Sequence, residues 1–68
     1  MELEITFFLG EREPVTLTIP DNATVLNLRD ALPDTKDMLF MVNGLVRKDN
    51  FRIAPTDKIV LMPVLIGG

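Results

Sequence analysis

Sixty-eight residues without a cysteine make one small domain that must hold together by packing alone, since such a chain buries only about 60% of the surface it exposes when unfolded. A hydrophobic share of 47%, drawn mainly from Leu, Val, Ile, Met and Phe, argues for a compact core and against disorder. Seven basic residues are scattered among ten acidic ones, with Arg47 and Lys48 the nearest approach to a positive patch, which argues against nucleic-acid binding as the main role.

The first elements form a hairpin. In ELEITFFL, Leu3, Ile5, Phe7 and Leu9 alternate with Glu2, Glu4, Thr6 and Phe8, the period of two that marks a strand with one core face. GEREP supplies the turn, and Val15, Leu17 and Ile19 alternate with threonines, so residues 2–9 and 15–19 are predicted to pair with their apolar faces together. Pro20 ends the hairpin.

A helix follows. Thr24 is the predicted N-cap, Val25, Leu28, Ala31 and Leu32 fall on one stripe at helical spacing, and Pro33 stops the helix early. After the polar DTKD, MLFMV is a strand, Asn43-Gly44 is a tight-turn signal, and LVRK returns as a short partner strand. Residues 59–65 form the last strand, long and apolar enough to be central. The order β-β-α-β-β places one helix across one face of a single mixed sheet, an α+β architecture in one domain.

That arrangement leaves the other face of the sheet without a helix. If Met38, Phe40, Val42, Ile59 and Leu61 face the helix, alternation sends Leu39, Met41, Val60 and Met62 to the opposite side, near Phe8. Five apolar side chains there exceed scattered exposure and predict a partner-binding face, for which the adaptable thioethers of methionine are suited.

Chemistry within the chain is sparse. With no His and no Cys it lacks the usual general base, the usual thiol nucleophile and the softer metal ligands, so neither an enzyme nor a metal site is expected. Glu11, Glu13, Asp21 and Asp57 read as solvated turn and surface acids, with no spacing that suggests a catalytic carboxylate pair. No apolar run approaches the roughly 20 residues of a membrane span, and Met1 opens a strand rather than a signal peptide, so a soluble cytoplasmic protein is expected.

The chain closes on PVLIGG. Pro63 gives no N–H to a ladder, so pairing is expected to end there, with a domain over 1–63 and a flexible tail over 64–68. Two residues without side chains at the end of such an arm can thread a narrow channel and present a carboxylate where a β-carbon would block it.

Taken together, the opening hairpin, ATVLNL into the helix, MVNGLV in the middle, TDKIVLMPV in the last strand and the terminal Gly-Gly resemble the β-grasp sulfur-carrier proteins of the ThiS and MoaD family, prokaryotic relatives of ubiquitin. The likeness spans essentially the whole chain. Where the family often carries Asp-Gly-Asp before the last strand, this chain has Pro55, Thr56 and Asp57, and its helix is about a turn short. The pathway signals point two ways: VNGLV followed by Phe51 is similar to the thiamine carriers, and the PV before the tail is similar to the molybdopterin carriers and their archaeal relatives.

The resemblance implies a carrier, not an enzyme. A ThiF- or MoeB-like (E1-like) adenylyltransferase would use ATP to adenylate the carboxylate of Gly68, and a sulfur donor would then displace AMP to leave a thiocarboxylate. Gly67 would let the arm lie flat in the partner's channel, and Leu65 and Ile66 would anchor it. The sulfur would pass to a synthase such as thiazole synthase or the large subunit of molybdopterin synthase, or serve tRNA thiolation, and the carrier itself would hold no cofactor. Two alternatives remain open: a ubiquitin-like modifier joined to other proteins through Gly68, and an interaction module whose end is chemically idle.

Overall fold

The computed structural model describes residues 1–10 and 12–64. Five strands form one sheet: β1 (Glu2–Phe7), β2 (Val15–Thr18), β3 (Met38–Val42), β4 (Leu45–Val46) and β5 (Ile59–Pro63), in the spatial order β2-β1-β5-β3-β4. The last strand is central, parallel to β1 and antiparallel to β3. The sheet is therefore mixed, as the sequence predicts, and with the short β4 counted the order is β-β-α-β-β-β where β-β-α-β-β was expected.

One face is covered by the helix α1 (Val25–Ala31) and the segments flanking it. Ile5, Ile59 and Val42 lie in register across the sheet, and so do Phe7, Leu61 and Phe40. These two rows pack with Val25, Leu28, Ile53 and Ala23 into a single core whose members are nearly all sealed from solvent. At about 25 cal/mol per Å² of apolar surface removed from water, burial of this cluster is the main favourable contribution to the fold.

The helix starts where the sequence places it. The Thr24 N–H donates to Asn27 Oδ1 at 2.9 Å, and the first-turn N–H groups of Val25 and Leu26 donate to the carbonyls of Phe51 and Asp49, both at 3.0 Å. Those are donors that a helix leaves without internal partners, so the 49–53 loop acts as a backbone cap. Pro33 forces Leu32 into an extended conformation (φ −124°, ψ 80°) and the helix stops. A 3-10 turn at Pro33–Thr35 follows, closed by the buried Thr35 hydroxyl donating to the Leu32 carbonyl at 2.6 Å.

Four predicted strand ends shift, the first being β4, which stops at Val46 and does not run on through Arg47 and Lys48. β1 ends at Phe7, because Phe8–Gly10 turn away with Leu9 at φ 59° and Gly10 at φ 64°. Leu9, expected on the core face, is 88% exposed. β2 ends at Thr18 rather than Ile19, although Ile19 is still buried. β5 ends at Pro63 rather than 65, with Val64 outside the strand and exposed. On the helix, Val25 and Leu28 are buried and Leu32 is partly so, but Ala31 faces solvent, because at about 3.6 residues per turn it stands at the edge of the stripe, farthest round the helix from Val25. Leu65, Ile66, Gly67 and Gly68 of the expected tail lie outside the described residues.

Candidate partner-binding face

Register decides which side chains share the uncovered face. Thr6, Val60, Met41 and Val46 stand opposite one another across β1, β5, β3 and β4, and Leu39 and Met62 form the next row. Residues directly paired across strands point to the same side of a sheet. The sequence-predicted quartet Leu39, Met41, Val60 and Met62 is thus brought together as expected, half-buried or exposed, with Leu39 at 37%. Phe8 stands one residue past the last β1–β5 pair, in the 3-10 turn and 40% exposed, so it belongs to the rim and not to the strand surface.

Val46 extends the surface and is not singled out by the sequence reading. It is 54% exposed and pairs with Met41. The signal was present in Asn43-Gly44, since a two-residue turn fixes Val42 opposite Leu45 and Met41 opposite Val46. Asn43 (φ 54°) and Gly44 (φ 87°) have the paired positive φ values that such a hairpin requires.

The face is graded in polarity. On the β2–β1 side, Glu4 pairs with Thr16 and Glu2 with Thr18, all exposed and all on the same side as Thr6. Apolar side chains begin at β5 and continue through β3 to β4. A surface that is polar at one edge and apolar at the other can bind a partner in one orientation and refuse the reverse.

Two clamps hold this surface in shape. Arg29 reaches from α1 to the start of β3, where its Nη1 donates to the carbonyls of Lys36 at 2.8 Å, Met38 at 3.0 Å and Thr35 at 3.3 Å. Its Nε donates to Asp49 Oδ1 at 3.1 Å, and its guanidinium lies 4.7 Å from the centre of the Phe40 ring. At the other end of β3, Asn43 Nδ2 donates to Asp57 Oδ1 at 2.9 Å while the Lys58 N–H donates to Asn43 Oδ1 at 2.9 Å. The second Asp57 oxygen accepts the Ala54 N–H at 2.8 Å, which closes the Pro55–Thr56 turn without a glycine. Asp57, read from sequence as a solvated acid, is a turn-forming residue instead.

The end of the described chain adjoins the face at Leu39. Met38 pairs with Pro63 at the end of the β3–β5 ladder, on the helix side of the sheet, and Val64 lines a concavity with Arg29, Lys36, Asp37, Met38 and Asp49, to which the open face contributes Leu39. Among the described residues, no cluster of three or more His, Cys, Asp or Glu could hold a metal ion, and no helix is long and apolar enough to cross a membrane.

The same architecture is found in solved structures. The chain is similar to a Caldiarchaeum subterraneum ubiquitin, with 27% identity over 100% of this chain and 98% of that one and a TM-score of 0.77. A ubiquitin-like protein from the same archaeon is similar at 26% identity over 98% and 100% of the two chains, with a TM-score of 0.63. SAMP1 of Haloferax volcanii matches at 21% identity over the whole of both chains, with a TM-score of 0.76. The fold is the ubiquitin-like β-grasp. No protein-family model and no curated protein matches the sequence. In the β-grasp frame, Leu39 of the open apolar face and Val64, the last described residue, line one concavity at the end of the β3–β5 ladder.

Proposed function

We propose that this chain is a ubiquitin-like carrier whose C-terminal glycine is activated by a partner enzyme and converted to a thiocarboxylate for sulfur transfer. The observation that carries the reading is that Leu39, at one corner of the uncovered face, lines a concavity with Val64, so that a partner seated over Leu39 reaches the residues that lead to Gly68. The likeness to an archaeal ubiquitin at 27% identity supports a protein that acts through its terminus.

In this proposal the chain is a substrate and performs no catalysis. A carboxylate oxygen of Gly68 attacks the α-phosphorus of ATP in an E1-like adenylyltransferase, pyrophosphate leaves, and an acyl-adenylate forms. A sulfide-level donor supplying hydrosulfide then attacks the acyl carbon: the C–S bond forms, the acyl C–O bond to phosphate breaks, AMP departs and a proton is released, leaving a thiocarboxylate on Gly68 for an accepting synthase of the thiamine, molybdopterin or tRNA-thiolation kind. Activation is needed because a carboxylate at neutral pH is a poor electrophile without a leaving group. Gly67 admits the chain to a narrow channel, and Leu65 and Ile66 supply apolar anchorage there. The carrier needs no cofactor of its own, since ATP binds the partner.

A second reading is favoured by the same neighbours, because they are named ubiquitin and ubiquitin-like: the activated Gly68 is joined to an amine of another protein. Intact-mass analysis of the protein isolated from its host separates the two. An oxygen-to-sulfur exchange at the terminus marks the carrier, and isopeptide-linked species mark the modifier. ATP–pyrophosphate exchange tests the activation step common to both. Deleting Gly68 is expected to abolish exchange, because it withdraws the carboxylate by ~3.4 Å, more than a near-attack geometry tolerates. The melting temperature is expected to be unchanged, since the last described pair is Met38 with Pro63. Exchange at the wild-type rate by the shortened protein would refute the reading.

A further inference from the structure

Beside Val46, the loop leading out of β4 gathers three of the seven basic residues around one shallow concavity, lined by Val46, Arg47, Lys48, Asn50, Phe51 and Arg52. The sequence places an acid, Asp49, in the middle of this run, which would cancel much of the charge. The structure removes it from the concavity, because Asp49 accepts from Arg29 Nε at 3.1 Å on the helix side. Among the described residues Arg47, Lys48 and Arg52 have no ion-pair partner.

The loop is built rather than loose. The Arg47 N–H donates to the Phe40 carbonyl at 2.9 Å and the Phe51 N–H to the Lys48 carbonyl at 3.0 Å. Helix N–H groups fix the carbonyls of Asp49 and Phe51, and the Ile53 N–H donates to the Ala23 carbonyl at 2.9 Å. The Arg47 guanidinium stacks on Phe51 with its carbon 4.7 Å from the ring centre. Stacking occupies the face of a guanidinium and leaves its N–H edge for a bidentate carboxylate.

We infer that this concavity docks a carboxylate-bearing segment of the partner protein, with an apolar side chain of that segment resting on Val46. The inference rests on the open face being the partner-binding surface: Val46 pairs with Met41 on that face and also lines the basic concavity, so the two adjoin at β4. Charge complementarity selects the occupant. A nucleic acid needs a broad positive field. This chain carries a net charge of −3, with Glu2 and Glu4 on the other half of the same face. An acidic protein segment requires only the local cluster and an apolar neighbour, and both are present.

The test uses the full chain, labelled with ¹⁵N, and a capped peptide of Glu residues around a single Leu. Backbone amides of residues 46–52 are expected to shift on addition of the peptide, less so as salt is raised, and not at all in the Lys48→Glu/Arg52→Glu variant. Arg47 is left in place because it packs on Phe51, and an otherwise unchanged variant spectrum shows that the fold is retained. In ATP–pyrophosphate exchange the same variant is expected to raise KM for the carrier roughly tenfold with kcat unchanged, as a loss at the rim of an interface does. The inference fails if residues 46–52 do not shift, if the variant shifts equally, or if KM is unaltered while the wild type drives exchange. It also fails if oligouridylate or inorganic phosphate moves the same amides at lower concentration than the peptide. If the wild type drives no exchange but the peptide still maps to 46–52, the activation reading falls and the acidic-segment site stands.

Discussion

Leu61 and Met62 are neighbours on the central strand and live in opposite environments. Leu61 sits between Phe7 and Phe40 with no exposed surface, whereas Met62 pairs with Leu39 on a face that no helix covers. Hydrophobicity does not tell the two rows apart, since both are apolar throughout. What separates them is the cover that α1 and the 49–53 loop give to one side alone. An apolar row beneath a helix stabilises the fold, and the same kind of row left open is a candidate surface for another molecule.

The contrast breaks most visibly at Leu61. Leu61→Ala is expected to cost ~2–5 kcal/mol, out of a total that for a chain of this size is only ~3–10 kcal/mol. Urea denaturation should therefore show a midpoint lowered by a large fraction, the largest effect of any variant considered. Only a small loss would mean that the two faces are not so different in packing as their exposure indicates. Arg29→Met comes next, because it leaves the carbonyls of Thr35, Lys36 and Met38 without their donor, for an expected loss of ~1–3 kcal/mol by the same measurement.

Asp57→Ala is expected to cost about 1 kcal/mol by freeing the Ala54 N–H and the Asn43 amide, a shift of ~4–8 °C in Tm. Binding to the activating enzyme should be unaffected, which distinguishes a turn residue from a contact residue. Met62→Arg sits at the end of the scale for stability, with a change within ~1 kcal/mol. Its expected effect is on association, where an unpaired charge in an apolar contact should weaken binding at least ~10-fold. A calorimetric titration with the activating enzyme, run beside a thermal melt, decides it: unfolding would place Met62 on the wrong side, and unaltered binding would remove the open face from the interface.

The sheet and its faces were legible in the sequence because strands carry a period of two and Asn43-Gly44 fixes the β3–β4 register. Alternation reads equally well where the chain has already turned. Phe8 and Leu9 continue the pattern of β1, yet nothing local distinguishes them from strand residues before Leu9 and Gly10 take positive φ. Ile53 is buried from within a loop, which no periodicity could announce. Arg29 looked like one more scattered cation, because its carbonyl partners belong to a turn whose path depends on Pro33 and on where β3 begins. The site divides the same way: Leu39, Met41, Val60 and Met62 follow from alternation, Val46 needed the register, and the cationic concavity needed to know where Asp49 points.

The parallel pairing of β1 with β5 joins nearly the first residues of the chain to nearly the last, Ile5 with Ile59. Sequence-distant pairings must close a long loop before any contact rewards it, so this topology is expected to fold slowly for its size. A nascent chain that has emerged only through β4 has no partner for the inner edges of β1 or β3, and its Phe7 and Phe40 lack the strand that lies between them. β5 must therefore have emerged before the core can form, and until then the nascent chain exposes two unpaired strand edges of the kind that chaperones shield.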